Sequence, residues 1–131
     1  MVVETLPALV AEIEGKIASF ISYRDYDKDS LLIVALGVTP EFQGLGIGKA
    51  LVKSLENKAK VLHRKRLRVS TSNDDLPALA FYQRLGFQIF KIKPNVIAEK
   101  HGALFEGFGG IPIRHELRLE KKLTEQNKRI L

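Results

Sequence analysis

Apolar and polar positions mark out a succession of short elements. The stretch 9–13, with Leu9, Val10, Ala11 and Ile13, predicts a strand, and residues 17–23 predict a second. Glu14-Gly15 between them predicts a two-residue hairpin turn, since glycine supplies the positive φ that such turns require. Residues 24–30 carry three aspartates and predict a charged loop. Residues 31–38 are apolar almost throughout, as expected of a central strand covered on both faces, with Gly37 as a bulge and Pro40 as its close. Ile47, Leu51, Leu55, Ala59 and Leu62 then recur at helical spacing and predict a helix over about 46–62.

A short strand is predicted at 67–71. Asn73, Asp74 and Asp75 form a cluster of turn and N-cap residues, and Pro77 suits the first turn of a helix that runs over 78–85 to a C-terminal cap at Gly86. Residues 87–92 read as a strand and 94–110, with four glycines, as an irregular segment. The last strand, from 113 to about 123, sets Ile113, Leu117, Leu119 and Leu123 against charged residues. Residues 1–8 read as a lead-in and 124–131 as a polar tail. The order ββ(β-α)(β-α)ββ predicts an α/β fold, a mixed sheet with helices packed on it.

At 131 residues the chain is expected to form a single domain. No apolar run reaches the roughly 20 residues of a membrane span, and the N-terminus lacks the pattern of a signal peptide, so no membrane partner is expected. Cysteine is absent, which excludes disulfides, thiolate metal sites and a cysteine nucleophile and suits a cytoplasmic protein. No histidine–carboxylate spacing suggests a metal. The net charge of +6 favours polyanions or a phosphorylated cofactor. Its densest part includes Lys58, Lys60, His63, Arg64, Lys65, Arg66 and Arg68, without interleaved aromatics or a nucleic-acid-binding motif. That run reads as the solvated C-terminus of a helix, where cations suit the dipole, so a nucleic-acid partner is not expected.

The glycines Gly44, Gly46 and Gly48 fall where a strand gives way to a helix. A helix start offers unpaired N–H groups and the positive end of the dipole, which together suit a phosphate. A tight connection is the alternative reading. The Rossmann fingerprint fails, because the sixth position counted from Gly44 is Lys49; the P-loop fails at Gln43 and Ala50.

What fits is Q-x-x-G-x-G, read as Gln43, Gly46 and Gly48. It resembles the acetyl-CoA pyrophosphate loop of the GCN5-related N-acetyltransferase (GNAT) superfamily. The segment 73–87 carries the rest of the resemblance, with Tyr82 four residues before Gly86-Phe87. Residues 110–117 are also similar to a bacterial and archaeal subgroup of that superfamily. The resemblance covers about residues 8–123 and is carried by 36–51 and 72–87.

It implies a GNAT-like fold, shortened at the N-terminus, in an enzyme that moves acetyl from acetyl-CoA to a primary amine of a small molecule or protein. No metal is implied. Backbone groups of Leu36 and Val38 would pair with the pantetheine arm, and the N–H groups of Gln43, Gly44, Leu45, Gly46, Ile47, Gly48 and Lys49 would bind the pyrophosphate. Asn73 and Asp75 stand where the family has an asparagine on the cofactor. By spacing from Tyr82 the match is Asp75, which departs from the family and reads equally as a helix cap. Tyr82 would be the general acid for the departing thiolate.

Two departures leave alternatives open. Residues 31–38 hold no ionisable side chain where many relatives place a glutamate base, so the amine proton would leave through water or through Glu106, His115 or Glu116. Few residues precede the first hairpin, where the family has helices that wall the acceptor pocket. The pocket is then open, is closed by the 94–112 segment, or is completed by a second copy in a homodimer. A non-catalytic acyl-CoA-binding or regulatory module is the competing function.

Overall fold

The computed structural model describes residues 2–5 and 8–123, the first of these as backbone only. The tail expected over 124–131 lies outside the described residues. Contacts gather into two compact units, residues 1–67 with 122–131, and Arg68–Lys121.

The first unit is an antiparallel sheet in the order β1 (Val2–Thr5), β2 (Ala8–Ile13), β3 (Lys16–Asp27), β4 (Ser30–Val38), with α1 (Ile47–Val61) against β2, β3 and β4. The expected lead-in thus contains a strand: Val3 pairs with Val10 and Thr5 with Ala8. The β2–β3 hairpin turns on Glu14 (φ 52°) and Gly15 (φ 78°), both left-handed as a two-residue turn demands. The charged loop expected at 24–30 is instead the end of a long hairpin whose strands run to Asp27 and Ser30. Only Lys28 and Asp29 form the turn, closed by Asp27 Oδ1 accepting the Asp29 N–H at 2.9 Å.

Neither was the basic run a solvated helix end throughout. Arg64 reaches back to this hairpin, with its guanidinium on Asp25 at 2.8 Å and on the carbonyls of Asp27 (3.1 Å) and Ser30 (3.2 Å). Arg66 Nε donates to Ser30 Oγ at 3.0 Å. Aspartates that read as a charged loop and arginines that read as a solvated helix end therefore tie the chain leaving α1 to the β3–β4 turn.

The bulge in β4 is at Val34, not Gly37. Ser22 faces Ala35 while Tyr23 faces Ile33, so Val34 is the extra residue, and its side chain is exposed. Burial follows from this. Leu31 and Ile33 are in the core, but Val34 and Ala35 are exposed and residues 36–38 only half-buried, so the expected cover on both faces stops at the bulge. Gly37 instead lies under the Phe20 ring of the paired strand, and a Cβ there would displace that exposed ring. The core itself is the stripe Leu51, Val52, Leu55 and Ala59 of α1, packed over a sheet face that includes Leu9, Ile21, Leu31 and Ile33.

The second unit contains most of β5 (Arg66–Ser72), then α2 (Leu76–Arg84), β6 (Gln88–Lys93), α3 (Val96–His101), β7 (Phe105–Glu106), β8 (Pro112–Ile113) and β9 (Glu116–Lys122). Its strands lie in the order β5-β9-β6, with β6 and β9 antiparallel and Ile92 opposite Leu117. β7 and β8 form a separate small ladder. Two sequence readings change here. The irregular 94–110 segment contains α3, whose first N–H groups, those of Ile97 and Ala98, donate to the Arg114 carbonyl at 3.0 and 3.3 Å. The single last strand is split into β8 and β9, because the N–H groups of Arg114 and His115 both donate to Asn73 Oδ1 at 2.8 Å and leave the ladder. Both devices join residues far apart in sequence.

Leu55 has no exposed surface. Leu55→Ala is expected to lower unfolding stability by about 3 kcal/mol through the cavity it leaves, read as a drop in the urea midpoint. An unchanged midpoint would contradict this packing.

Candidate active site

β4 ends where the Thr39 N–H donates to the Ala18 carbonyl at 2.9 Å, and a single 3₁₀ turn, Pro40–Phe42, follows. The chain then passes through Gly44 (φ 82°) and Gly46 (φ 79°) into α1. A Cβ on either glycine would meet nothing within 4 Å, so the left-handed backbone, rather than space, calls for glycine, and the surface above the loop is open. Gly46 is the N-cap, and no side chain caps the helix. The first bond into the helix is from the Ala50 N–H to the Gly46 carbonyl, at 3.0 Å. Gln43 donates its own N–H to the Pro40 carbonyl at 3.3 Å. Among the described residues, the N–H groups of residues 44–49 have no acceptor.

The other two helices differ. Asp75 caps α2, its Oδ1 accepting from the Ala78 N–H at 3.1 Å, and Pro77 removes another donor from the first turn. The Arg114 carbonyl serves α3. Among the described residues, only at α1 does a glycine-flanked start leave its donors without acceptors, with Lys49 rather than an acidic residue in the first turn. That arrangement suits an anion.

Residues 36–38 of β4 have a definite polarity. The Gly37 carbonyl accepts from Ser19 Oγ at 2.6 Å and the Thr39 N–H points to Ala18, so residues 37 and 39 turn their backbone groups towards β3. Strand alternation turns those of Leu36 and Val38 to the opposite edge. There the Val38 carbonyl accepts from Gln43 Nε2 at 3.1 Å.

The turn 73–75 has a structural task for each residue. Asn73 Oδ1 takes the two N–H groups that split β8 from β9, and its Nδ2 donates to the Pro112 carbonyl at 3.0 Å. Asp74, only 7% exposed, accepts from the Ser72 hydroxyl and from the Phe108 N–H at 3.1 Å. A Cβ at Gly107 would collide with this carboxylate, which explains that glycine. Burial works against the Asp74 charge, but the donors from Ser72 and Phe108 outweigh it and hold the carboxyl below its ordinary range. Asp75 is the α2 cap. Asn73 and Asp75, expected on the cofactor, thus use their side chains for the fold.

Tyr82 is buried in α2, edge-on to Phe81 and Phe87 with ring centroids 5.0 and 5.2 Å away. Burial, with a contribution from the Asp75 charge, pushes its phenol up to about 12. It is therefore protonated at neutral pH and able to donate.

An open cleft of about 750 Å³ lies in the Arg68–Lys121 unit, lined among others by Ser70, Thr71 and Ser72 of β5, Val96 and Ile97 of α3, and Glu116 of β9. The sequence offers Glu116 only as one of several bases and the 94–112 segment only as one alternative cover for the pocket; the cleft itself depends on α3, which is not legible there. Burial opposes ionisation of Glu116, but Ser70, Arg118 and Lys93 together hold it below the ordinary carboxylate range. His115 accepts the Asn95 N–H on Nδ1 at 2.9 Å, while Glu106, His63 and His101 are exposed. Among the described residues no His, Asp or Glu cluster has metal-holding geometry, and no helix is long and apolar enough to cross a membrane.

Residues 3–87 match the sequence profile of the acetyltransferase (GNAT) family. The Bacillus subtilis (strain 168) protein YdhI is 33% identical over 111 residues, which cover 82% of this chain and 68% of YdhI. An IAA acetyltransferase from Bacillus cereus ATCC 14579 superposes with a TM-score of 0.78 at 28% identity, covering 88% of this chain and 77% of the other. A GNAT family acetyltransferase from Elizabethkingia anophelis, solved with acetyl-CoA bound, gives 0.80 at 27% identity over 88% and 75%. These folds bear out the expected α/β class, a mixed sheet flanked by helices.

The depressed Asp74 carboxyl has a consequence for stability. Its hydrogen bonds contribute fully above the unfolded value, about 4, and are lost as pH falls through the lower native value. Asp74→Asn is expected to cost about 1–3 kcal/mol at neutral pH and to flatten the fall in urea midpoint below pH 4. A variant with the same midpoints as the parent at both pH values would contradict this role.

Proposed function

The chain belongs to the acetyltransferase (GNAT) family, and we propose that it is an acetyl-CoA-dependent N-acetyltransferase acting on a primary amine. The observation that carries this reading is the start of α1, where the N–H groups of residues 44–49 lack acceptors among the described residues and Gly44 and Gly46 hold the backbone left-handed. The cofactor pyrophosphate takes those donors. Gln43, with its N–H on the Pro40 carbonyl and its side chain on the Val38 carbonyl, braces the loop instead. The backbone of Leu36 and Val38 is turned to the edge where a pantetheine arm can add as a short strand. The relative solved with acetyl-CoA supports this cofactor.

In the reaction the neutral amine attacks the thioester carbonyl. A C–N bond forms, the C–S bond breaks, and the amide nitrogen releases its extra proton. No covalent enzyme intermediate is needed, since the chain has no cysteine to carry one. Tyr82 donates from its phenol to the departing thiolate. Its high pKa sharpens this role: full transfer from a phenol near 12 to the less basic thiolate is uphill. Tyr82 therefore acts by hydrogen bonding to the thiolate as it forms, and the thiolate is finally protonated by solvent. Glu116, held ionised by its donors, is a weak base, and His115 has Nδ1 occupied by the Asn95 N–H. Water takes the amine proton.

Tyr82→Phe is expected to lower thiol release from acetyl-CoA by about 100-fold on an accepted amine while leaving acetyl-CoA affinity within twofold. Unaltered turnover would remove Tyr82 from the mechanism. Gly46→Glu, which adds a negative charge at a left-handed position, is expected to abolish acetyl-CoA binding with the circular dichroism spectrum retained; binding at parental affinity would refute the assignment of the loop. The competing reading, an acyl-CoA-binding regulatory module, rests on the absence of an ionisable side chain from residues 31–38. It predicts acetyl-CoA binding without thiol release on any amine.

A further inference from the structure

The cleft beside β5 and α3 has no part in the cofactor assignment above, and its chemistry is mixed in a particular way. Val96 and Ile97 supply an aliphatic surface, Ser70, Thr71 and Ser72 supply hydroxyls, and Glu116 supplies a half-buried carboxylate. The volume, about 750 Å³, is ample for a ligand larger than a single amino acid.

Glu116 is already engaged, and the manner of its engagement matters. Ser70 donates to it, and Arg118 approaches with Nε on Oε2 and Nη2 on Oε1, each at 3.4 Å. Charge-assisted bonds of this kind are normally about 2.7–2.9 Å, so the Arg118 pair is loose. An ionised carboxylate offers about four acceptor positions, and three donors leave one to fill. Lys93 acts on it only through its charge. The remaining charges lining the cleft, Glu99 and Lys100, are both exposed and of opposite sign, so Glu116 is the half-buried charge of the lining; Arg118 and Lys93, which are not lining residues, offset its charge, and what it offers a ligand is the open acceptor position.

Resting on the transferase reading, we propose that this cleft receives the acceptor, and that the Glu116 carboxylate recognises it as a cation. The acceptor class is a small primary amine with an apolar body: the ammonium takes the open position on Glu116 and the hydrocarbon lies along Val96 and Ile97. Glu116 is thus a specificity-determining residue that holds the amine before its deprotonation. An acid of the same size, ionised at neutral pH, has no donor for that position.

Two measurements test this on the full chain. In the first, the Val96 and Ile97 methyl resonances are followed during titration with 2-phenylethylamine and with the isosteric acid 3-phenylpropionate. The amine is expected to shift both methyls saturably and the acid to leave them in place. Equal response to the two, or none to the amine, would overturn the proposal. In the second, thiol release is measured with the same amine. Glu116→Gln is expected to raise the amine KM about 10- to 100-fold, with kcat and the acetyl-CoA KM within twofold, and Glu116→Asp to recover part of the loss. An unchanged amine KM, or a fall confined to kcat, would overturn recognition by Glu116 while leaving the transferase reading intact. Acetyl-CoA binding without thiol release on any amine would instead sink the transferase reading, and with it the claim that the cleft holds an acceptor.

Discussion

A helix begins with N–H groups that its own geometry cannot satisfy, and how each helix start is completed organises this protein. α2 takes the carboxylate of Asp75, and α3 takes the Arg114 carbonyl. α1 takes neither, opens on two left-handed glycines, and keeps the donors of residues 44–49 without acceptors among the described residues. Leaving such donors outward is favourable only at a surface where water or an anion can meet them. The buried stripe of Leu51, Val52, Leu55 and Ala59 fixes α1 on its sheet and so fixes where those donors point. Stability and the proposed anion site therefore share one helix, on different parts of it.

The turn after β5 plays the opposite part. Asn73, Asp74 and Asp75 each satisfy backbone groups that the fold would otherwise strand: the split between β8 and β9, the Phe108 turn, and the first turn of α2. Through the Asn73 contacts with Arg114 and His115, the same turn supports the residues that hold α3, and α3 supplies the aliphatic lining of the cleft. A side chain read from sequence as a cofactor ligand is thus a fastener for part of the proposed acceptor side.

Features governed by neighbouring residues were legible in the sequence. The Glu14-Gly15 turn, the start of α1 at the glycines, the Asp75 and Pro77 start of α2, and Gly86 with φ 99° all depend on local backbone preferences. What escaped depends on distant partners. α3 is six residues long and rests on Arg114, so its own stretch carries little helical signal. The last strand is broken by Asn73, some 40 residues earlier. The β3–β4 hairpin is braced at its end by Arg64, which pairs with Asp25 and takes the carbonyls of Asp27 and Ser30, in a stretch that composition alone marks as a loop. Gly37 reads as a bulge but lies under the Phe20 ring, and the bulge falls on Val34, whose side chain gives no sign of it. For the candidate site, the glycine loop and Tyr82 came from motif spacing. The burial that raises the Tyr82 pKa, and the cleft around Glu116, required the fold.

The claim that the start of α1 is the cofactor phosphate site is tested most directly by amide resonances. Backbone N–H signals of residues 44–49 are to be followed during titration with coenzyme A and, separately, with pantetheine, which lacks the pyrophosphate. The account predicts large, saturable shifts of these amides with coenzyme A and only small ones with pantetheine. Shifts absent from residues 44–49, or equal for the two compounds, would contradict it.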